Sequence, residues 1–231
     1  MSQPHSPDPT GHGGPAAFIA IGRQVRERLE LHPNAFRIPA GEIEIYAIPD
    51  VLSANECVQL IAIIDCVAQP STLFDSDPLF RTSSSGDFDT SLPLVAGIER
   101  RIDGLLGLEH AWGETIQGQR YLSGQEFRDH CDYFPTDDRH WSTVERLGGQ
   151  RSWTAMAYLN PVAEGGATFF SAIGLTVPPQ QGMVLAWNNM AMDGTPNPYT
   201  QHAGLPVIRG VKYIITRWYR ARPWIAEAWV E

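Results

Sequence analysis

The chain has 231 residues, of which 43% are hydrophobic, and its 17 Lys and Arg against 26 Asp and Glu give a formal net charge of −9. This acidic balance provides no basic surface for nucleic acid or for an anionic membrane. No apolar run approaches the roughly 20 residues that a bilayer-spanning helix needs. The length is typical of a single domain that buries a sizeable core.

The N-terminus and the cysteines bear on the cellular location. Residues 1–15 contain no basic start followed by an apolar stretch, so we predict that a secretory signal is absent. The three cysteines are odd in number and show no C-x-x-C spacing, which is typical of reduced thiols: they are Cys57, Cys66 and Cys131. We therefore expect a cytoplasmic protein.

Composition divides the chain into a tail and one domain. Residues 1–17 are rich in Pro and Gly and are predicted to form a disordered tail. Residues 18–231 are predicted to form a single domain, since the sequence contains no internal repeat and no second boundary. From Glu114 onward, short apolar segments alternate with Gly, Pro and Asn turns, which predicts a catalytic β-core at about residues 114–222.

Helical patterns precede this β-rich part. Apolar residues at helical spacing predict a first helix over residues 18–29, and the alternation of residues 42–48 predicts a strand. Ser53 and Glu56 form a capping box ahead of the apolar face of a second helix. A third helix is predicted over residues 94–106. Helices first and strands after indicate an α+β fold.

A His-x-Asp pair, His130 and Asp132, is the first candidate for chemistry. On an extended segment, residues two apart point to the same side and can reach one metal ion. His202 lies in a second polar segment just before a Gly-Leu-Pro turn and would supply a third ligand. Polar surface loops also match the tripeptide by chance. Two imidazoles and one carboxylate nevertheless form the ligand set of non-haem Fe(II) oxygenases, which leaves other positions on the metal open.

Lys212 lies in a segment, residues 211–219, that is rich in β-branched and aromatic residues and predicts a strand. A cation on an inward face of such a strand needs an anion, because an unpaired buried charge is costly. The carboxylate of a small bound acid would serve. The alternative is a solvated lysine on an exposed face. By parity, the residues that share one face are Lys212, Ile214, Thr216 and Trp218.

These features belong to a longer pattern. Residues 201–213, preceded by segments 158–160, 164–170 and 182–188, resemble the catalytic domain of the prolyl 4-hydroxylase family of 2-oxoglutarate- and Fe(II)-dependent dioxygenases. The resemblance extends from about Ile45 to Trp224. It implies a double-stranded β-helix core of the jelly-roll or cupin-like type, buttressed by the N-terminal helices of the α+β fold.

The resemblance also implies the roles of the iron-site residues. It makes Lys212 the partner of the distal carboxylate of 2-oxoglutarate, and it requires no catalytic residue beyond the metal ligands. The acidic ligand favours hydroxylation over halogenation, because related halogenases typically lack this carboxylate. The implied Fe(II) ligands are His130, Asp132 and His202.

Further pocket residues follow from the same resemblance. Tyr121, nine residues before His130, matches a tyrosine that reaches the co-substrate in this family. Thr168 and Trp218 match pocket-lining positions, and ordinary core packing is the alternative for both. These three residues are therefore expected to contact 2-oxoglutarate or to line its pocket.

The segment 80–88 resembles a loop that folds over the peptide substrate in prolyl 4-hydroxylases. Its small hydroxyl residues and glycine suit a loop that closes over a ligand. Arg81 would anchor the substrate, and Ser83 would offer a hydrogen bond. The alternative is a plain surface loop between a strand and a helix.

The function implied is hydroxylation of a peptidyl-proline, similar to that of a procollagen-proline 4-dioxygenase. Such an enzyme couples O2 and 2-oxoglutarate to substrate hydroxylation, releases succinate and CO2, and can use ascorbate. The expected partner is a proline-containing peptide or protein. Two alternatives remain: the same chemistry on a free amino acid, another side chain or a small metabolite, and a non-catalytic metal- or peptide-binding module.

Overall fold

The computed structural model describes residues 14–71, 77, 79–136 and 141–225. Most of the predicted tail, residues 1–13, therefore lies outside the described residues. Helix α1 (Pro15–Glu30) already includes the last three residues of that predicted tail, since proline is favoured in the first turn of a helix. None of the helices in the described part has the length and apolar character for crossing a membrane.

The described residues form four α-helices, three short 3-10 helices and fourteen strands. The other α-helices are α2 (Ala54–Val67), α3 (Pro93–Leu106) and α4 (Trp141–Arg146). The 3-10 helices cover His110–Trp112, Ser171–Ile173 and Pro198–Thr200. The strands are β1 (Phe36–Arg37), β2 (Ile45–Ile48), β3 (Gln69–Pro70), β4 (Ser84–Asp87), β5 (Gln117–Tyr121), β6 (Phe127–His130), β7 (Arg151–Tyr158), β8 (Glu164–Gly165), β9 (Thr168–Phe170), β10 (Leu175–Val177), β11 (Val184–Asn188), β12 (His202–Gly204), β13 (Val207–Arg209) and β14 (Lys212–Arg220).

Two antiparallel sheets carry the site. The larger sheet has eight strands in the order β1-β2-β11-β7-β14-β5-β4-β3, and the smaller has four in the order β10-β9-β12-β6. Strands β8 and β13 pair separately. This antiparallel jelly roll with N-terminal helices confirms the fold class that the sequence predicted.

Each face of the large sheet has its own apolar core. One core packs the three long helices against Trp153, Ala155 and Ala157 of β7. The other contains Met156 and Tyr158 of the same strand, together with residues of the smaller sheet. Alternate residues of a strand point to opposite faces, so β7 supplies both cores. The inner core, between the sheets, contains the site described below.

The predicted capping box is confirmed at the start of α2. The Glu56 backbone N–H donates to Ser53 Oγ at 3.3 Å, and the Ser53 N–H donates to the Glu56 carboxylate at 2.8 Å. Arg101 of α3 pairs with the same carboxylate at 2.7 Å. Gly118 lets β5 approach this helix, since a Cβ there would lie 2.5 Å from the Ile64 side chain. The cap and this close approach position α2 against the sheet.

A buried ion cluster fixes β14 against α3. Arg217 is almost fully buried and pairs with Glu99 at 2.6 Å and with Asp103 at 2.9 Å. The Tyr219 hydroxyl donates to Asp103 at 2.6 Å. Arg217 and Tyr219 therefore tie the helix-facing side of β14 to one helix.

The segment 80–88 differs from the predicted loop. Residues 84–87 form strand β4, which pairs with β5 and β3. Gly86 lies so close to α2 that a Cβ there would be 2.7 Å from the Val67 carbonyl oxygen. The prediction failed here because serine and glycine have low strand propensity, and pairing with distant strands overrides that preference.

Candidate active site

The three predicted metal ligands meet at one point between the sheets. His130 ends β6 and His202 begins β12, and the two residues are directly opposite each other in that strand pair. His130 Nε2 lies 3.9 Å from Asp132 Oδ1, and His202 Nε2 lies 4.0 Å from Asp132 Oδ2. One ligand atom from each residue falls within 4.8 Å of the others. This spacing allows all three to bind a single ion.

Backbone carbonyls orient both imidazoles. His130 Nδ1 lies 2.8 Å from the Arg128 carbonyl oxygen, and His202 Nδ1 lies 2.9 Å from that of Thr200. A neutral imidazole that donates through Nδ1 presents the lone pair of Nε2 to a metal. Burial and the neighbouring His202 lower the pKa of His130 to about 3. This imidazole is therefore neutral at pH 7, as metal binding requires.

The third ligand is an ionised carboxylate. Burial alone would raise the pKa of Asp132, but the two imidazoles and the Arg151 guanidinium outweigh burial, and the pKa lies below its usual value. The Thr154 hydroxyl lies 2.7 Å from Asp132 Oδ2 and donates to it. Asp132 is thus an anionic ligand at neutral pH.

Lys212 faces the same cavity from β14 and is 1% exposed. Within the described part of the chain, its Nζ forms no hydrogen bond or ion pair; it lies 5.1 Å from the Tyr121 ring centroid and 5.7 Å from that of Tyr158. Burial lowers the pKa of Lys212 to about 7. A carboxylate in this cavity would give the buried amine the counter-ion that it lacks.

The sequence identified only part of the cavity wall. Tyr121, Thr168 and Trp218 line the same cavity as the three ligands and Lys212. The face of β14 that the alternation predicted is also the face that lines it. The sequence analysis did not identify the rest of the wall. Gln119 could have been found, because it lies two residues before Tyr121 and so faces the same side of the strand. The lining residues that were missed are Gln119, Phe127, Met156, Trp187 and Gly204.

Hydrogen bonds hold the polar part of the wall. The Tyr121 hydroxyl donates to Gln119 Oε1 at 2.8 Å, and Gln119 Nε2 donates to the Thr216 hydroxyl at 3.2 Å. All three side chains are buried. The network presents hydroxyl and amide groups to the cavity beside Lys212.

Thr168 and Trp218 have partners in the protein. The Thr168 hydroxyl accepts a hydrogen bond from the Tyr158 hydroxyl at 2.7 Å. The Arg151 guanidinium stacks 4.0 Å from the Trp218 ring centroid and donates to both oxygens of Glu114, at 2.7 and 2.8 Å. Both lining residues thus already contact other side chains of the protein, and a ligand contact stays a prediction. No sequence motif pointed to the Arg151–Glu114 pair.

Arg81 and Ser83 are outside the cavity wall and are buried. Arg81 Nε donates to the Ser83 hydroxyl at 3.0 Å, and its Nη2 donates to Gln117 at 3.1 Å. The guanidinium lies 4.8 Å from the centroid of Phe127, whose ring stacks on His130 at 3.6 Å. Arg81 is therefore one aromatic ring away from a metal ligand. Its substrate contact stays a prediction.

The residues present fit an Fe(II) and 2-oxoglutarate site. Two imidazoles and one carboxylate suit non-haem Fe(II), which keeps open positions for other ligands. Lys212, without an anionic partner among the described residues, suits a dicarboxylate that reaches from the metal to the amine. The protein therefore provides groups for both ends of such a co-substrate.

The fold and this donor set define a 2-oxoglutarate- and Fe(II)-dependent oxygenase, and residues 116–220 match the model of the 2OG-Fe(II) oxygenase superfamily. Probable prolyl 4-hydroxylase 3 of Arabidopsis thaliana is 32% identical over an alignment of 223 positions, and the match covers 85% of this chain and 72% of that protein. Prolyl 4-hydroxylase 1 of the same plant is 34% identical over 203 residues, with 77% and 69% covered. The chain belongs to the prolyl 4-hydroxylase family.

Solved structures agree with this assignment. The viral collagen prolyl hydroxylase of Paramecium Bursaria Chlorella virus-1, in its complex with 2-oxoglutarate, has a TM-score of 0.61 and is 27% identical, with 76% of this chain and 95% of that chain covered. A Pseudomonas putida prolyl 4-hydroxylase has a TM-score of 0.55 at 20% identity, with 89% and 99% covered. The second comparison supports the fold alone.

Proposed function

We propose that this protein is an Fe(II)- and 2-oxoglutarate-dependent hydroxylase of peptidyl-proline. The observation that carries the proposal is the buried Lys212 amine, which faces the same cavity as the His130, Asp132 and His202 triad. The bound iron and co-substrate would supply the oxidation, in which O2 and 2-oxoglutarate yield succinate, CO2 and a hydroxylated substrate.

The side chains of the cavity have binding and positioning tasks in this reaction. The triad would hold the metal, and Lys212 would bind the distal carboxylate of 2-oxoglutarate through a charge-assisted hydrogen bond. Tyr121 and its hydrogen-bonded neighbours would orient the co-substrate, and the aromatic wall would exclude water. No protein nucleophile is needed, since the cofactor pair performs the difficult step.

The substrate proposal is supported by the relatives, which carry the names prolyl 4-hydroxylase and collagen prolyl hydroxylase. Within the chain, Arg81 and Ser83 are proposed to act at the substrate side, because Arg81 contacts the Phe127 ring of the cavity wall. We further propose that residues 18–231 act as one domain, since the two cores share the large sheet.

The test is turnover with a defined peptide. The protein is loaded anaerobically with Fe(II) and 2-oxoglutarate, air is admitted, and succinate is measured with and without a proline-rich peptide. A peptide of equal length with alanine in place of proline is the control, and Asp132→Ala is the control protein. We expect proline-dependent succinate and a peptide that gains the mass of one oxygen atom. Succinate without peptide modification would contradict the proposed peptidyl-proline substrate. No succinate at all would contradict the proposed 2-oxoglutarate-dependent activity.

Two finer proposals accompany the activity. A cytoplasmic location is supported by three cysteines that are all free, Cys57, Cys66 and Cys131, because reduced thiols are typical of that compartment. Ascorbate is proposed to restore oxidised iron, and it should increase the number of turnovers before the enzyme stops. An equal number of turnovers with and without ascorbate would contradict this role.

A further inference from the structure

Two buried polar residues lie behind the acidic metal ligand. Thr154 belongs to β7 and shares its inward face with Met156, and Asn189 directly follows β11. Both residues have an exposed fraction of 0%. Asn189 Nδ2 lies 3.0 Å from the Thr154 hydroxyl, which in turn lies 2.7 Å from Asp132 Oδ2. A continuous hydrogen-bonded chain therefore runs from Asn189 to the metal ligand.

The direction of this chain follows from counting protons. An ionised carboxylate only accepts, so the single hydroxyl proton of Thr154 must be donated to Asp132. The hydroxyl oxygen can then only accept from Asn189, which requires the amide nitrogen of Asn189 to face it. In that orientation the Asn189 carbonyl oxygen is buried without a hydrogen-bond partner. Such unpaired groups are rare and destabilising. The amide orientation therefore provides a hydrogen bond to Thr154 but leaves one buried carbonyl oxygen unpaired.

We propose that Thr154 and Asn189 hold Asp132 as a one-oxygen metal ligand. The Thr154 hydroxyl occupies Oδ2, and among the described residues no hydrogen bond reaches Oδ1, which lies 3.9 Å from His130 Nε2. Oδ2 lies 4.0 Å from His202 Nε2, so each oxygen faces one imidazole and distance alone does not distinguish them. The hydrogen bond from Thr154 engages Oδ2 and leaves Oδ1 as the oxygen for the metal. A carboxylate that binds through both oxygens would take one more position, so the hydrogen-bonded chain keeps that position open for co-substrate or O2.

This inference rests on the proposed metal centre, and it assigns Thr154 and Asn189 as positioning residues. Their alternative role is structural, as a polar pair that is satisfied within the core. The chain offers a matched control in Ser152, which lies on the same face of β7 and is 1% exposed. Its hydroxyl donates to the Tyr219 carbonyl oxygen at 3.1 Å and does not contact a ligand. Loss of that hydroxyl tests the effect of any buried hydroxyl on this strand.

The experiment measures metal binding without turnover. Co(II) is titrated into the metal-free protein, and its affinity and visible absorption are recorded for wild type, Thr154→Val, Thr154→Ser and Ser152→Ala. We expect Thr154→Val to weaken Co(II) binding about tenfold or more, as lost partners of metal ligands do, and to change the absorption because the coordination changes. Thr154→Ser should retain both properties, and Ser152→Ala should match wild type even if its melting temperature falls.

The outcomes separate this inference from the proposed function. Normal Co(II) binding by wild type, with the same affinity and spectrum in Thr154→Val, would overturn the positioning role and leave the metal centre intact. Failure of wild type to bind Co(II) would overturn the metal centre and this inference together. If Thr154→Val does not fold, Asn189→Leu replaces it. The Thr154 hydroxyl then loses the hydrogen bond from Asn189 that directs its proton towards Asp132. Weaker binding with an altered spectrum supports the proposal, and unchanged values overturn it.

Discussion

Lys212 has an unusual environment for a lysine, since its side chain is 1% exposed. Its amine is buried, and the ring contacts with Tyr121 and Tyr158 provide no full negative charge. Burying an unpaired ammonium is costly, so the group gives up its proton more readily than an exposed lysine. The charged form of Lys212 is therefore destabilised in the free protein, and a bound dicarboxylate would stabilise it.

The substitution Lys212→Met should separate metal binding from co-substrate binding. We expect unchanged Mn(II) affinity and about 10- to 100-fold weaker binding of 2-oxoglutarate, since a hydrogen bond to a charged group contributes about 1.5–3 kcal/mol. Anaerobic calorimetry on the Mn(II)-loaded protein measures both affinities. Arg209→Met is the control, because Arg209 is a largely exposed cation at the nearby end of β13. Equal 2-oxoglutarate affinity in Lys212→Met and wild type would contradict the assignment.

Co-substrate binding should depend on pH through the same amine. Burial lowers the pKa of Lys212 to about 7 in the free protein, and a bound carboxylate raises it again. Above pH 7 the protein must take up a proton to bind, so the Kd of 2-oxoglutarate should rise roughly tenfold per pH unit. Calorimetry at pH 8 in buffers of different ionisation enthalpy should show uptake of nearly one proton. A Kd that is constant from pH 6 to 9 would contradict this linkage.

At the scale of elements, a strand whose two faces carry different kinds of side chain could be predicted from its alternation. A strand without such alternation could not. The alternation in β14 was readable because one face meets the helices and the other lines the cavity. The capping box at α2 was readable because its signal is local. Strand β4 was not, since its small polar residues are extended only by pairing with β5. The Thr154–Asn189 pair was also hidden, because distant segments bring the two residues together.

The capping box provides a pH-dependent test of one element. Hydrogen bonds from Arg101 and Ser53 lower the pKa of Glu56 to about 2. The carboxylate therefore stabilises the fold above its unfolded pKa of about 4.3, and this contribution is lost as the pH falls towards 2. Glu56→Gln should lower the free energy of unfolding by about 1 kcal/mol at pH 7, as lost caps do, and by less at pH 3.

Urea unfolding at the two pH values measures this difference. The exposed Glu27 of α1 offers a matched control, and Glu27→Gln should have little effect at either pH. A loss in Glu56→Gln that is as large at pH 3 as at pH 7 would contradict the role of the charge. It would leave only the neutral hydrogen bonds of the cap.

At the scale of the whole molecule, the metal site and the folding cores overlap only partly. The helix-side core contains none of the ligands, and the inner core surrounds them. The sequence could predict the triad because its His-x-Asp pair is local and the third ligand belongs to a longer pattern. It could not predict the contacts among Arg151, Glu114 and Trp218 beside the cavity, because long-range strand pairing brings these residues together.

Metal and co-substrate should therefore stabilise a fold that already exists without them. Mn(II) at about 100 times its Kd should add about 2.7 kcal/mol to the free energy of unfolding, and 2-oxoglutarate should add to this gain. Thermal unfolding followed by circular dichroism, with chelator or with Mn(II), measures the shift in Tm. Asp132→Ala should fold but show no gain with Mn(II). A chelated wild-type protein without a cooperative transition would show that the cores need the metal.

The ion cluster behind β14 also limits how this enzyme can change over evolutionary time. A slip of β14 by one residue would exchange its two faces, so that Arg217 would enter the cavity and Lys212 would leave it. Arg217 would then lose its ion-pair partners Glu99 and Asp103, which stay on α3. Lys212 would lose its place in the cavity in the same step. Insertions or deletions in the turn before β14 must therefore be absorbed as altered loops. A sequence change that shifts the register of β14 would therefore remove the Lys212 site and the Arg217 ion cluster together.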